Sequence, residues 1–194
     1  MKKYLRWAFI GIALFGVIAS TITTSWMKNL DAQAANALQG VEWVAGFHYL
    51  AETKVMIVIV LLLMVGLYVK GKHYIDMAFV FVTFAGGFIL NQVAKTFFQR
   101  PRPTIENQLD SFSFPSGHAM LGCIYLVVLA MMVCKHVVAK KWHIVVMTIA
   151  ILCVIMIGLS RVAESRHYIT DVLAGWAFAS AWLSIIVGTF KTKA

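Results

Sequence analysis

The residues that could do chemistry lie in three short polar segments of an otherwise apolar chain, in which 61% of the 194 residues are hydrophobic. The segments span residues 95–103, 115–118 and 160–171, and together they hold lysine, arginine, serine, histidine and aspartate. Cations, helix-terminal amides and histidines meet the demands of phosphoryl transfer, in which catalysis is mostly positioning and charge neutralisation. The three segments together therefore predict a phosphate site.

The second segment, Pro115-Ser116-Gly117-His118, is typical of the start of a helix. Proline suits the first helical turn because its missing N–H is not needed there, and Gly117 lets an anion come close to the free backbone amides. His118 lies in the same turn and could exchange a proton with a bound group. In isolation, a simple helix start with an interfacial histidine explains the segment equally well.

The third segment pairs a histidine with a carboxylate. His167 and Asp171 are four residues apart and share one face at the start of a helix. A carboxylate that accepts from one imidazole nitrogen fixes the tautomer and leaves the other nitrogen free as a nucleophile. In isolation, an interfacial ion pair is the alternative. Arg161 favours the phosphate site, because its planar fork can bind two phosphate oxygens, and Lys95 and Arg102 add two positive charges.

Acidic residues are spread along the chain, whereas metal-dependent phosphatases cluster their carboxylates. We therefore expect the protein's own cations to take the place of a metal, and we predict neither a metal nor another cofactor. The acids on the side of the three segments are Asp31, Glu42, Glu52, Glu106, Asp110, Glu164 and Asp171.

The polar segments must be positioned by membrane-spanning helices, since a mean hydropathy of +0.82 is typical of a polytopic membrane protein. The net charge of +9 could indicate nucleic-acid binding. Basic residues that anchor cytoplasmic loops explain it better, so we predict no nucleic-acid partner. We predict an all-α protein with six transmembrane helices in one bundle, spanning about residues 4–26, 50–69, 74–98, 115–134, 143–159 and 168–190.

Six spans place both termini on one side of the membrane, and the basic residues favour the cytoplasmic side for them. Ten of the 17 lysines and arginines fall on that side and seven on the other, where five crowd into residues 95–102 and 161–166. We therefore expect cytoplasmic termini and an active site on the external face. The cytoplasmic set is Lys2, Lys3, Arg6, Lys70, Lys72, Lys135, Lys140, Lys141, Lys191 and Lys193.

Residues 27–53 form a long external connection in which Trp43, Phe47 and Leu50 recur at helical spacing. An amphipathic helix lying on the membrane would fit this pattern. A loop that packs on the bundle would fit it equally well.

The order and spacing of the three segments resemble a known family over about residues 74–190, while the first 70 residues match it only as spans. The resemblance implies a single six-helix phosphatase domain over residues 1–194. The family is the type 2 phosphatidic acid phosphatases, and its three-part signature is matched without substitution by Lys95-x6-Arg102-Pro103, Pro115-Ser116-Gly117-His118 and Ser160-Arg161-x5-His167-x3-Asp171.

The resemblance implies a role for each signature residue. His167 would be the nucleophile that forms a phosphohistidine, Asp171 would orient it, and His118 would protonate the leaving group. Water would then hydrolyse the intermediate without a metal. Ser160 would support helix geometry, and the phosphate would be bound by Lys95, Arg102, Ser116, Gly117 and Arg161.

Four further polar residues lie near the signature but outside it. Arg100, Glu164 and Arg166 are interpreted as solvated loop charges, with a role in substrate choice as the alternative. Asn91 lies one helical turn before Lys95, so we expect it to contact site residues rather than the substrate.

Small bacterial members of the family act on phosphatidylglycerol phosphate, phosphatidic acid or undecaprenyl diphosphate. The resemblance therefore implies a lipid phosphate substrate in a bacterial cell membrane. Glycine at position 117 slightly favours a lipid phosphatase of broad specificity, because some prenyl-diphosphate enzymes of the family carry aspartate at this position. The main alternative is a lipid phosphotransferase that uses the same phosphohistidine. The related haloperoxidases are soluble, and a non-enzymatic membrane protein would not explain the joint presence of the three segments.

Overall fold

The computed structural model describes residues 1–191, which form eight α-helices and two short 3-10 helices without any β-strand. The last three residues of the predicted 1–194 domain, which include Lys193, lie outside the described residues. The 3-10 helices are Gly46–Ala51 and Lys140–Trp142. The α-helices are α1 (Lys2–Thr21), α2 (Ser25–Leu38), α3 (Glu42–Ala45), α4 (Thr53–Gly71), α5 (Tyr74–Phe98), α6 (Gly117–His136), α7 (His143–Ala163) and α8 (Ile169–Lys191).

Within residues 1–191, six helices are long and apolar enough to cross a membrane, namely α1, α4, α5, α6, α7 with its preceding 3-10 turn, and α8. The predicted all-α architecture with six spans is confirmed. One boundary is wrong, because the first span was expected to reach Trp26 and α1 ends at Thr21. Thr24 starts a new helix, since its hydroxyl oxygen accepts the Met27 N–H at 3.4 Å as the N-cap of α2.

Helix α6 lies at the centre of the bundle and packs against α5, α7 and α8. Its Met120 and Ile124 are fully buried, as are Ile157 of α7 and Ala179 of α8. Large apolar side chains on α1, α4, α5 and α7 point outward instead, and Leu62 of α4 is 65% exposed. An apolar outer surface of this extent suits a lipid environment. A helix can cross lipid because it satisfies its own backbone hydrogen bonds.

Residues 25–51 are mostly helical and pack on the outside of the bundle. Helices α2 and α3 and the following 3-10 helix contact α7, and α2 also contacts α8. The connection is helical, as one interpretation predicts, and it packs on the bundle, as the other predicts. Trp43 is 71% exposed, whereas the side chains buried in these contacts are Met27, Asp31, Val44 and Ala51.

The three polar segments meet at one end of the bundle, which we call the signature end. The C-terminal ends of α5 and α7 and the N-terminal ends of α6 and α8 converge there. The Ser116 N–H donates to the Asp171 carbonyl oxygen at 3.0 Å, so the starts of α6 and α8 are in direct contact. Gly175 permits this approach, because a Cβ at that position would lie 2.9 Å from the Ser116 carbonyl oxygen.

We predict that Gly175→Ala destabilises the protein by about 1–3 kcal/mol, the usual cost of overpacking. The nearest atom to the added methyl group is a backbone oxygen, which cannot rotate away. Thermal unfolding in detergent measures the change as a lower Tm.

The matched control is Gly16→Ala in α1, where a Cβ would meet nothing within 4 Å. Alanine is a better helix former than glycine, so this variant should keep or raise the Tm. Equal Tm values for the two variants would contradict the close approach of α6 and α8.

Candidate active site

The signature end brings together all eight residues predicted to form the site. Each lies at a helix terminus or in an adjoining loop, and the N-termini of α6 and α8 leave backbone amides without an intrahelical partner. Charge interactions connect the lysine, the arginines, the histidines and the aspartate with one another. The eight are Lys95 in the last turn of α5, Arg102 in the next loop, Ser116, Gly117 and His118 at the start of α6, Arg161 at the end of α7, His167 before α8, and Asp171 in its first turn.

His167 lies between a carboxylate and a guanidinium, and its residue surface is only 3% exposed. Its Nδ1 is 3.4 Å from Oδ2 of Asp171, and its Nε2 is 3.1 Å from Nη1 of Arg102. A guanidinium nitrogen can only donate, so Nε2 is the acceptor and Nδ1 carries the proton. The contacts therefore select one tautomer, with the Nε2 lone pair directed towards Arg102.

Burial lowers the pKa of His167 to about 4, although the hydrogen bond to Asp171 and its negative charge act in the opposite direction. The imidazole is therefore neutral at physiological pH. A neutral imidazole with its proton on Nδ1 is the form that can attack an electrophile through Nε2.

The start of α6 differs in one respect from the prediction. Pro115 lies before the helix rather than in its first turn, and Ser116 is the N-cap, its Oγ accepting the Ala119 N–H at 3.4 Å. The helix begins at Gly117, and His118 lies in the first turn as expected. Serine rather than proline determines where this helix begins, because the serine hydroxyl can accept a hydrogen bond from a free helix amide.

Asn91 contacts the α6 start, as predicted. Its Nδ2 donates to the Pro115 carbonyl at 3.4 Å. A Cβ at Gly117 would lie 3.1 Å from its Oδ1. Glycine therefore allows α5 to lie close behind the amides of α6, in addition to opening those amides to an anion.

Lys95 and Arg102 are both tied to the loop that joins α5 to α6. Lys95 donates to the Phe112 carbonyl, and Arg102 donates to the Ser111 carbonyl at 2.7 Å and to the Arg166 carbonyl at 2.7 Å. Burial and the neighbouring Arg161 charge lower the pKa of Arg102 to about 10, so it stays charged at neutral pH. Cations fixed close together in this way favour a bound anion.

Arg161 is buried and only partly paired. Its Nη1 donates to Glu164, whose other oxygen is 2.9 Å from Nδ1 of His48. The buried Nε has no hydrogen-bond partner among the described residues. The interpretation of Glu164 as a solvated charge is therefore wrong, whereas Arg166 does bond loop residues 107 and 108.

The interpretation of Arg100 as a solvated loop charge is also wrong. Its Nη1 donates to Oδ1 of Asp171 at 2.6 Å, and its Nη2 donates to Oδ2 of Asp31 at 2.7 Å. Asp31 was not predicted as part of the site. The sequence offered only a lone acid among alanines of α2, and its arginine partner is 69 residues away.

Comparisons with known proteins agree with this geometry. Residues 75–194 match the PAP2 superfamily. Phosphatidylglycerophosphatase B of Bacillus subtilis is 27% identical over 184 residues, which is 90% of both chains. An undecaprenyl-diphosphatase of Sulfolobus acidocaldarius is 30% identical over 96 residues, which is 50% of this chain and 39% of that one.

A solved structure is similar over almost the whole chain. It is the crystal structure of a transmembrane PAP2-type phosphatidylglycerolphosphate phosphatase from Bacillus subtilis, with a TM-score of 0.87 and 25% identity over 96% of this chain and 98% of that one. The predicted family, fold and enzyme class are thereby confirmed. The chain belongs to the PAP2 superfamily and is a multi-pass membrane phosphatase.

Proposed function

We propose that the enzyme acts through a phosphohistidine on His167 and that its preferred substrate is phosphatidylglycerol phosphate. The observation that carries the mechanism is the pair of contacts on His167, with Asp171 at Nδ1 and Arg102 at Nε2. An anion drawn to Arg102 would meet Nε2, the ring nitrogen that carries the lone pair.

The first step is attack of His167 Nε2 on phosphorus, which forms the P–N bond as the bond to the lipid oxygen breaks. His118 donates a proton to that oxygen as it leaves. In the second step His118 takes a proton from water, whose oxygen attacks phosphorus and breaks the P–N bond. Asp171 keeps the proton of His167 on Nδ1 throughout and stabilises the positive charge that the ring acquires.

Phosphate binding is assigned to the cations and to the start of α6. Arg161 has a buried Nε free to donate, and Lys95 and Arg102 carry charge on the neighbouring elements. Ser116 and Gly117 present the helix N-terminus, whose amides and dipole favour an anion. These groups would neutralise the oxygens of the phosphoryl group during transfer.

The lipid class rests on a cavity and on the relatives. A cavity of about 440 Å³ lies beside His167, and Ile22, Ala35 and Val162 contribute to its largely apolar wall. The apolar part of a lipid would bind in this cavity while its phosphate contacts the cations. We place phosphatidylglycerol phosphate before phosphatidic acid and undecaprenyl diphosphate because the relative that matches over most of its length is a phosphatidylglycerophosphatase.

We further infer that the whole chain is one phosphatase domain and that the signature end faces the extracytoplasmic side of the cell membrane, with both termini in the cytoplasm. The positive-inside rule supports this orientation. The opposite end of the bundle carries Lys70, Lys72, Lys135, Lys140 and Lys141.

We predict that His167→Ala lowers kcat for phosphatidylglycerol phosphate by at least about 1000-fold, because no nucleophile remains. His118→Ala should lose about 100-fold on the same lipid. On p-nitrophenyl phosphate, whose nitrophenolate leaves without a proton, His118→Ala should recover most of the rate of the first step, whereas His167→Ala should recover none.

The matched control is His143→Ala at the far end of α7, which should behave as wild type. Phosphate release from the lipid and the initial burst of nitrophenolate from p-nitrophenyl phosphate are measured for each variant. An active His167→Ala enzyme, or equal rescue of both variants by the good leaving group, would refute the assigned roles.

The acidic limb of kcat/KM should lie near pH 4, because the pKa of His167 is lowered to about 4 and protonation removes the attacking lone pair. Activity is therefore retained as the pH falls through 6.5 and is lost through 4. The substrate's own phosphate ionisation is titrated separately and removed from the profile. A limb near the ordinary histidine value would disprove the neutral, buried nucleophile.

Phosphate release should continue in EDTA, because protein cations take the role of a metal. His73, Asp76 and His136 are close enough to hold a metal ion, but they lie at the opposite end of α5 from Lys95. Loss of activity in EDTA and its recovery with magnesium would overturn the metal-free mechanism.

Free phosphate should equal the lipid phosphate consumed; phosphate recovered on a lipid hydroxyl would instead indicate a phosphotransferase.

A further inference from the structure

Arg100 bridges two buried carboxylates, only one of which belongs to the proposed catalytic set. It donates to Asp171 at 2.6 Å and to Asp31 at 2.7 Å. Its guanidinium also lies over the Tyr168 ring at 4.0 Å. The side chains of Arg100, Asp31 and Asp171 are 11%, 5% and 0% exposed, so all three charges are largely withdrawn from water.

Asp31 also reaches the start of α8. Its Oδ1 accepts the Thr170 N–H at 3.0 Å and its Oδ2 accepts the Thr170 hydroxyl at 3.0 Å. Thr170 is the second residue of α8, so its N–H is one of the amides that the helix itself cannot satisfy. A carboxylate from α2 therefore caps a helix that carries a proposed catalytic residue on its next position.

The two oxygens of Asp171 have different partners. Among the residues that the structure describes, Oδ1 accepts a hydrogen bond only from Arg100, while Oδ2 accepts the Tyr168 N–H at 3.0 Å and faces His167. With Oδ1 occupied by a charge-assisted bond, the carboxylate cannot turn without leaving buried charges unpaired. Arg100 and the Tyr168 N–H therefore hold the orientation of Asp171 towards His167 from its two oxygens.

We propose that Arg100 and Asp31 are positioning residues of this enzyme, with Arg100 orienting Asp171 and Asp31 holding Arg100 and the start of α8. The inference rests on the proposed role of His167. It assigns a catalytic contribution to α2, which lies outside residues 75–194 and outside the three signature segments.

The bridge also sets the charge behind His167. One arginine and two carboxylates sum to −1, so removing the arginine leaves −2 and removing Asp31 leaves 0. More negative charge favours the imidazolium and raises the pKa of His167, and less negative charge lowers it. The other charged or titratable groups that act on His167 are unchanged by these substitutions and are Lys95, Arg102 and His118. Arg161, which acts on His118 and Lys95, is also unchanged.

The test is the pH profile of kcat/KM for phosphatidylglycerol phosphate in detergent micelles. Arg100→Gln should lower kcat about tenfold or more, as expected for loss of one hydrogen bond to a charge. Its acidic limb should move up by about half a pH unit or more, and that of Asp31→Asn should move down. The double variant Asp31→Asn/Arg100→Gln restores a sum of −1, so its limb should return towards wild type.

The limb does not depend on how much enzyme is folded, so a merely structural role would leave it in place. Arg100→Lys should recover part of kcat, because it keeps the charge but loses the two-pronged bridge. Should Arg100→Gln fail to fold, the downward shift of Asp31→Asn and the partial activity of Arg100→Lys still decide the matter.

Matched controls are Arg166→Gln and Asp110→Asn, which remove one charge each from the same end of the bundle without touching Asp171. The inference would be overturned if the acidic limbs of Arg100→Gln and Asp31→Asn stayed at the wild-type pH or moved in the same direction. An active His167→Ala enzyme would instead overturn the proposed function, so the two failures are distinguishable.

Discussion

Three cations share a site at the end of an apolar bundle, and the rest of the structure follows from the need to keep them together. Lys95 and Arg161 are almost fully buried, and Arg102 is partly buried between them. Like charges repel more strongly as water is removed, so such a cluster is tolerated only when other elements fix it. Loop carbonyls bind Lys95 and Arg102, and Glu164 binds Arg161. The remaining positive charge is what a phosphate would neutralise.

Helix convergence is the second requirement, because the cations sit on different elements. The amides of α6 and the carboxylate of α8 come close enough for a backbone hydrogen bond between Ser116 and Asp171. Small residues make this possible, with Gly175 opposite the Ser116 carbonyl and Gly117 opposite Asn91. Each glycine is thus required by the close approach of a neighbouring element.

The signature residues and the six spans could be predicted because each depends on a local pattern. A run of apolar residues reports a spanning helix, and the spacing of His167 and Asp171 reports a shared contact. The missed ion pairs concern partners that are distant in the chain. Arg100 looked like a loop charge because Asp31 lies more than one element away, and so does His48, which Glu164 contacts in addition to the nearby Arg161. No periodicity links such pairs.

The amino-acid sequence by itself determined the family, the membrane architecture and the eight signature residues that meet at the signature end. These follow from hydropathy and from side-chain chemistry at fixed spacing. The tertiary structure alone decided that α2 reaches the site and that Arg100 stands between Asp31 and Asp171. It also decided the tautomer of His167, since that depends on which atoms face each ring nitrogen. Packing determines these contacts because burial removes the water that would otherwise satisfy each charge.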